Sequence, residues 1–227
     1  MYRAGLPSPG ARLLTAIKLV RPGQVVADIG CDHGKLAVYL ALAGLATKVI
    51  AVDKRPIPLS RARALAKQTG CEAMVNCRLG NGLAALQPGE ATEIVIAGMS
   101  GETMIEILAA APWVQNPGMH FVFVPATRAA QLRSWLYSNG FALLAEEPVA
   151  ERGRVYTVLS AKYTGQKQQQ SPFFCELGLL AQNPLPPAKA YIAQRLRHLQ
   201  KRALAPLPAA EKQALNQLIK EVEQCLP

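Results

Sequence analysis

"QVVADIGCDHGKLAVYLALAG", residues 24–44, holds the transition that decides the fold. A short apolar run, Val25-Val26-Ala27, ends in "DIGCDHG" (28–34) and gives way to a helix-patterned stretch that closes at Gly44, a glycine suited to the turn after a helix. Strand, loop and helix in that order make the first half of a βαβ unit. The loop packs two acids, two glycines, a histidine and a cysteine into seven residues, which asks what it would hold.

The same alternation continues on the C-terminal side. "KVIAVD" (48–53), "AMVNCRL" (73–79), "EIVIAG" (93–98) and "HFVFVP" (120–125) read as strands two to five. Between them "PLSRARALAKQTG" (58–70), with Pro58 and Ser60 near its start and Gly70 at its end, "GETMIEILAAA" (101–111) and "AAQLRSWLYSNG" (129–140) read as helices. The rhythm then changes. "FALLAEEPVAE" (141–151) and "RVYTVLSAKY" (154–163) are separated by Arg152-Gly153 alone, too little for a crossover, so they are expected to pair as an antiparallel hairpin. Five crossover-connected strands and a terminal hairpin predict an α/β, doubly wound, seven-stranded sheet with one reversed strand.

Beyond residue 163, "TGQKQQQSP" (164–172) reads as a polar linker. Ile192, Leu196, Leu199 and Ala203 then recur at helical spacing, as do Leu215, Leu218 or Ile219, Val222 and Leu226, with Pro206 and Pro208 between the two sets. They predict a coiled-coil-like helical hairpin, its seam buried within itself or against the main body. The expected division is a catalytic domain over 1–163 and an accessory unit over 164–227.

Composition limits the function classes. Half of the 227 residues are hydrophobic, but no apolar run approaches the length that crosses a bilayer, and Pro and Gly interrupt the first twenty residues where a secretory signal would be apolar. A cytoplasmic protein, a monomer or a weak dimer, is expected. The five cysteines lack CxxC spacing and the three histidines are far apart, which argues against a zinc site or a disulfide framework. Lys and Arg total 25 against 15 acids, a net +10 that suits a polyanion such as nucleic acid. The densest basic patch, with Lys54, Arg55, Arg61, Arg63 and Lys67, serves equally well as a solvated helix face or a phosphate-binding face.

In doubly wound sheets ligands lie over the carboxyl ends of the strands, where residues 28–34 fall. Their pattern is D-x-G-x-x-x-G (Asp28, Gly30, Gly34), not the G-x-G-x-x-G that cradles a pyrophosphate. Asp53, closing the second strand, is placed for both hydroxyls of a ribose. "RLGNGLAAL" (78–86) follows the third strand. There Gly80 and Gly82 free the backbone to approach a flat ring and Asn81 offers a donor and an acceptor to a base edge, although an ordinary Asn-Gly turn explains the same residues.

"VADIGCDHG", "RLGNGL", "IVIAGMSG" and "QLRSWL", followed by a basic helical tail, together resemble the bacterial tRNA (adenine-N1)-methyltransferases that modify position 22, the TrmK family, over nearly the whole chain. The resemblance implies a Rossmann-like class I methyltransferase domain, S-adenosyl-L-methionine as cofactor and tRNA as partner, with no metal. It implies a cofactor site of Asp28, Gly30, Cys31, Gly34, Asp53, Lys54, Asn81, Gly82, Gly98 and Met99. Lys54, Arg55, Arg61, Arg63, Arg128, Arg133, Arg195, Arg197, Lys201 and Arg202 are its expected RNA contacts. The chain departs from the family in having Val124-Pro125-Ala126 where Gln-Pro-Asn is usual.

The residues after the fourth strand, "AGMSG" (97–101), lack the Asn/Asp-Pro-Pro-Tyr/Phe motif with which enzymes orient an exocyclic amine. Adenine N1 keeps an in-plane lone pair, so its methylation needs positioning and no prior deprotonation. A carboxylate near the cationic product would stabilise it, and Asp32 is the candidate. His33 could bind the cofactor's carboxylate, meet the target base or simply order the loop. The alternatives are methylation of another RNA, of DNA or of a small molecule, and a non-catalytic RNA-binding protein that keeps a nucleoside pocket.

Overall fold

The computed structural model describes residues 9–226. Seven strands form one sheet: β1 (Gln24–Ile29), β2 (Ala46–Asp53), β3 (Val75–Leu79), β4 (Glu93–Ala97), β5 (His120–Val124), β6 (Phe141–Glu151) and β7 (Arg154–Tyr163), in the order β3-β2-β1-β4-β5-β7-β6. Strands β1 to β5 are mutually parallel, β7 runs antiparallel to both of its neighbours, and the chain reverses direction across the sheet between β1 and β4. A sheet covered on both faces needs apolar side chains in both phases of the strand period. This chain supplies them. Val26, Val49, Val95 and Val122 pack on one face with α1 (Ala11–Leu19), α2 (Lys35–Leu42) and α3 (Pro56–Gln68). Their strand neighbours Ala27, Ile50, Ile94, Ile96, Phe121 and Phe123 pack on the other with α4 (Gly101–Ala109) and α5 (Ala129–Ser138).

The expected strands and hairpin are present, and two elements were not foreseen. Helix α1 covers the sheet ahead of β1. Arg12 at its start is fixed to Glu151, with Nε 2.6 Å from Oε2, and lies over the Tyr156 ring at 4.4 Å. Arg21, just beyond its end, is ion-paired with buried Glu93, which also bonds His120 Nδ1 at 2.7 Å. The second is α6 (Pro172–Leu177), capped by the Ser171 hydroxyl, which accepts from the Phe174 N–H at 3.1 Å. The supposed linker ahead of it is tied down too, since the Thr164 and Gly165 amides donate to the Gly140 carbonyl and the Gln168 amide to that of Tyr137.

Helices α7 (Pro186–Ala203) and α8 (Ala209–Glu223) form the helical hairpin. Its seam of Ile192, Leu199, Leu215 and Val222 closes on itself and on Leu177 of α6. A buried polar cluster joins these helices to the sheet. Arg133 of α5, fully buried, pairs with Glu146 of β6, its Nε 3.1 Å from Oε1, and donates to the Cys175 carbonyl at 2.8 Å, the Glu176 carbonyl at 3.1 Å and the Tyr191 hydroxyl at 3.1 Å. Glu146 also accepts from the Thr157 hydroxyl at 2.5 Å and the Leu179 amide at 2.9 Å. Burial opposes the guanidinium's charge, but the Glu146 carboxylate and Tyr191 together outweigh it and raise the Arg133 pKa. Arg133 is therefore withdrawn from the expected RNA contacts: every donor direction it has is spent inside the molecule.

Candidate active site

The carboxyl ends of β1, β2 and β4 open on a cleft of about 990 Å³. It takes in every residue expected at a cofactor except Gly34: Asp28, Gly30, Cys31, Asp53, Lys54, Asn81, Gly82, Gly98 and Met99 line it, and so do Asp32 and His33. Gly34 begins α2 with φ +71, and a Cβ there would come within 2.7 Å of Ala62 Cβ on α3, so this glycine lets the two helices approach.

Asp28 is the most unusual group in the cleft. It is buried, its Oδ2 has no hydrogen-bond partner, and burial, reinforced by the charges of Asp53 and Asp32 against a backbone bond from Ala37, pushes its pKa up to about 7. A buried carboxylate oxygen left without a donor at the wall of a cleft is an open acceptor position. Burial likewise raises the neighbouring Cys31 thiol, which leaves it protonated and inert.

Asp53 is held ready by three donors. Its Oδ2 accepts from the Asp32 amide at 3.1 Å, and its Oδ1 accepts from the Arg55 amide at 2.8 Å and from Arg55 Nε at 3.3 Å. A carboxylate offers about four lone-pair directions, so a hydroxyl can still bind, and more so if the exposed Arg55 head turns away. Asp32 has φ +49, sparsely populated for a residue other than glycine. That conformation turns its amide to Asp53 while its exposed carboxylate sits 3.4 Å from Arg55 Nη2 and 3.5 Å from His33 Nε2.

The loop after β4 is stitched to the loop after β5. The amides of Gly98, Ala126 and Gly101 donate to the carbonyls of Val124, Met99 and Thr127 at 2.8–2.9 Å, and the Ser100 hydroxyl caps α4 through the Thr103 amide. A Cβ on Gly101 would come within 2.2 Å of the Arg128 carbonyl oxygen, so only glycine lets the loops meet. No carboxamide or carboxylate projects from residues 97–101. Gly98, at φ +79, has open space where a Cβ would stand.

The expected RNA-facing residues divide. Lys54 and Arg55 line the cleft; Arg61 and Arg63 are exposed on α3, with Arg63 Nη2 donating to the Cys77 carbonyl at the outer sheet edge. Arg128, exposed at the start of α5, faces Glu102 at 3.6 Å. On the tail, Arg195 is paired with Glu176 and Arg202 with Glu211, while Arg197 and Lys201 are exposed with no ion pair among the described residues. His198 lies within electrostatic reach of Arg195, Glu176, Arg128 and Arg202, and its partial burial, with those cations, lowers its pKa. The wall made by Arg12, Ser100, Thr103, Glu106, Glu151 and Arg152 escaped sequence reasoning, because it joins α1, α4 and the tip of the β6–β7 hairpin across the length of the chain. Among the described residues no three His, Cys, Asp or Glu could together hold a metal ion, and no helix is long and apolar enough to cross a membrane.

Comparison with known proteins agrees with this architecture. A tRNA (adenine(22)-N(1))-methyltransferase of Bacillus subtilis is 34% identical over 151 residues; the match covers 66% of this chain and spans 63% of that relative's length. The crystal structure of B. subtilis TrmK, a tRNA methyltransferase, superposes with a TM-score of 0.82 at 28% identity, covering 96% of this chain and 97% of that one. A Streptococcus pneumoniae protein solved in complex with S-adenosyl-L-methionine superposes with a TM-score of 0.83 at 25% identity, covering 95% and 98%. The methyltransferase domain model matches residues 10–159, a span that runs from the cleft wall on α1 to the last strand of the sheet, and the chain therefore belongs to the methyltransferase domain family.

Proposed function

We propose that the protein is an S-adenosyl-L-methionine-dependent methyltransferase acting on N1 of an adenine in tRNA, at position 22. It would work in the cytoplasm as a monomer or weak dimer, with residues 1–163 as catalytic domain and 164–227 as accessory unit. The observation that carries the reading is the cleft itself: two acids at the ends of adjacent strands, one with an unpartnered oxygen and one with room for a further hydroxyl, beside a fourth-strand loop that carries no carboxamide or carboxylate. Similarity to the tRNA (adenine(22)-N(1))-methyltransferase of B. subtilis supports the choice of acceptor.

The cofactor would supply a methyl group on a sulfonium. Asp28 would meet its ammonium, Asp53 its ribose hydroxyls and Asn81 the edge of its adenine, while Gly98, without a Cβ, leaves room beside the reacting end. The AGMSG loop carries no carboxamide or carboxylate, and its one side-chain hydroxyl is engaged in capping α4, so it would position a base without a side chain that orients an exocyclic amine. That suits a ring nitrogen whose lone pair is already in the plane. Asp32, at the same mouth, would stabilise a cationic product and favour loss of the proton from its exocyclic nitrogen, with His33 beside it to meet the base. Five cysteines, none of them in a disulfide, suit a reducing compartment.

Ala126 favours keeping a second acceptor class in view. Its amide bonds the Met99 carbonyl, and no polar side chain stands where the family usually has asparagine. Transfer of labelled methyl from the cofactor to unmodified bulk tRNA, with ribosomal RNA, DNA and no acceptor in parallel, tests the reading. Label in tRNA alone is expected, and label elsewhere would replace it.

The Asp28 carboxyl makes a pH prediction. A folded pKa raised from 3.8 to about 7 means that the ligand-free fold holds a proton the unfolded chain has lost, so stability falls as pH rises from about 4 to 7 and is flat above. A cofactor ammonium favours the ionised carboxylate. Binding at pH 6 is therefore expected to release close to one proton, seen as a buffer-dependent heat in calorimetry, and to release almost none at pH 8.5 or in Asp28→Asn.

A further inference from the structure

We propose that Arg152, at the tip of the β6–β7 hairpin, grips the phosphate backbone of the substrate beside the target nucleotide; the proposal rests on the reading of the substrate as an RNA. Strand β6 is antiparallel to β7, which is antiparallel to β5, so the hairpin tip lies at the carboxyl end of the sheet, and Glu151 and Arg152 form part of the cleft wall. Three features single out Arg152 there. It is exposed and makes no ion pair or hydrogen bond among the described residues, whereas Arg12 on the same wall is neutralised by Glu151. Its φ is +51 and that of Gly153 is +74, the pattern of a two-residue type I′ turn, in which the first position favours Asn, Asp or Gly and an arginine is strained. The tip is also held firmly: Arg12 fastens Glu151 on one side, and on the other the Gln194 amide of α7 bonds both the N–H and the carbonyl of Val155, at 3.2 and 3.0 Å. A strained turn that keeps a free guanidinium at the mouth of a nucleoside cleft, on a braced support, suits an anion arriving from outside. With an RNA substrate that anion is a backbone phosphate.

Two full-length variants test it. Arg152→Asn removes the charge but satisfies the turn, so its melting temperature is expected to equal or exceed that of the wild type. Its KM for tRNA is expected to rise about 5- to 10-fold, and the slope of log affinity against log salt to fall by about one, with kcat and calorimetric cofactor affinity unchanged. Arg152→Lys is expected to recover most of the KM. An unchanged KM and salt slope in a folded Arg152→Asn would overturn the assignment while leaving the tRNA reading intact, and loss of cofactor affinity would move Arg152 to the cofactor's side. A wild-type protein that neither binds nor methylates tRNA would overturn both.

Discussion

Replacing Arg133 by alanine is expected to destabilise the fold by about 3–5 kcal/mol, because the change strips a buried carboxylate of its counter-charge and strands two carbonyls and a hydroxyl at once. In a chain of this size that corresponds to roughly 10 °C or more in the melting temperature. The pair Arg133→Met with Glu146→Leu is expected to recover only part of the loss. It removes both charges, but the Thr157 hydroxyl, the Leu179 amide and the carbonyls of Cys175 and Glu176 lose their partners. Thermal unfolding checks both. The same network bears on how the tail is to be studied: a chain cut after Tyr163 would lose Cys175, Glu176 and Tyr191 from around Arg133, and would be destabilised like the alanine variant whatever the tail does for RNA. Charge reversal at Arg197 and Lys201, exposed and unpaired among the described residues, leaves that network in place and is the cleaner probe.

The second large effect is expected at Asp53. Asp53→Ala removes an acceptor for the ribose hydroxyls and also frees the Asp32 amide and the Arg55 head, which lets the Asp32 turn relax from its positive φ. Cofactor affinity is expected to fall on the order of 10- to 100-fold, the worth of one charge-assisted hydrogen bond with its supporting geometry. Asp53→Asn keeps an acceptor and is expected to lose less. Calorimetry on folded protein measures both, and unchanged affinity in Asp53→Ala would remove Asp53 from the site.

The strands and their acids were legible in the sequence because the physics there is local. A two-residue period with apolar side chains in both phases, punctuated by Gly30, Gly44, Gly70 and Gly98, describes a doubly covered parallel sheet without any long-range information. Asp28 and Asp53 follow, since each lies at the carboxyl end of such a strand. Arg133 shows where that logic stops. On its helix it lies beside Leu132 and one turn from Leu136, and nothing within "QLRSWL" tells a solvated arginine from a buried one. The difference is made by Glu146 on the hairpin and by carbonyls of α6, about 42 residues further on. The cleft wall of Arg12, Glu151 and Arg152 was hidden for the same reason, as contacts across 139 residues leave no periodic trace. One signal was present: an arginine ahead of glycine in a two-residue hairpin, where Asn would be the ordinary choice.

Methyl transfer to a single adenine is the most direct test of the whole account. Purified protein, S-adenosyl-L-methionine and two otherwise identical tRNA transcripts, one with adenine at position 22 and one with guanine there, are incubated together, and the products are digested to nucleosides for mass spectrometry. The account predicts 1-methyladenosine from the first transcript and none from the second. Equal yields from both, or methyl on another base or atom, would contradict it.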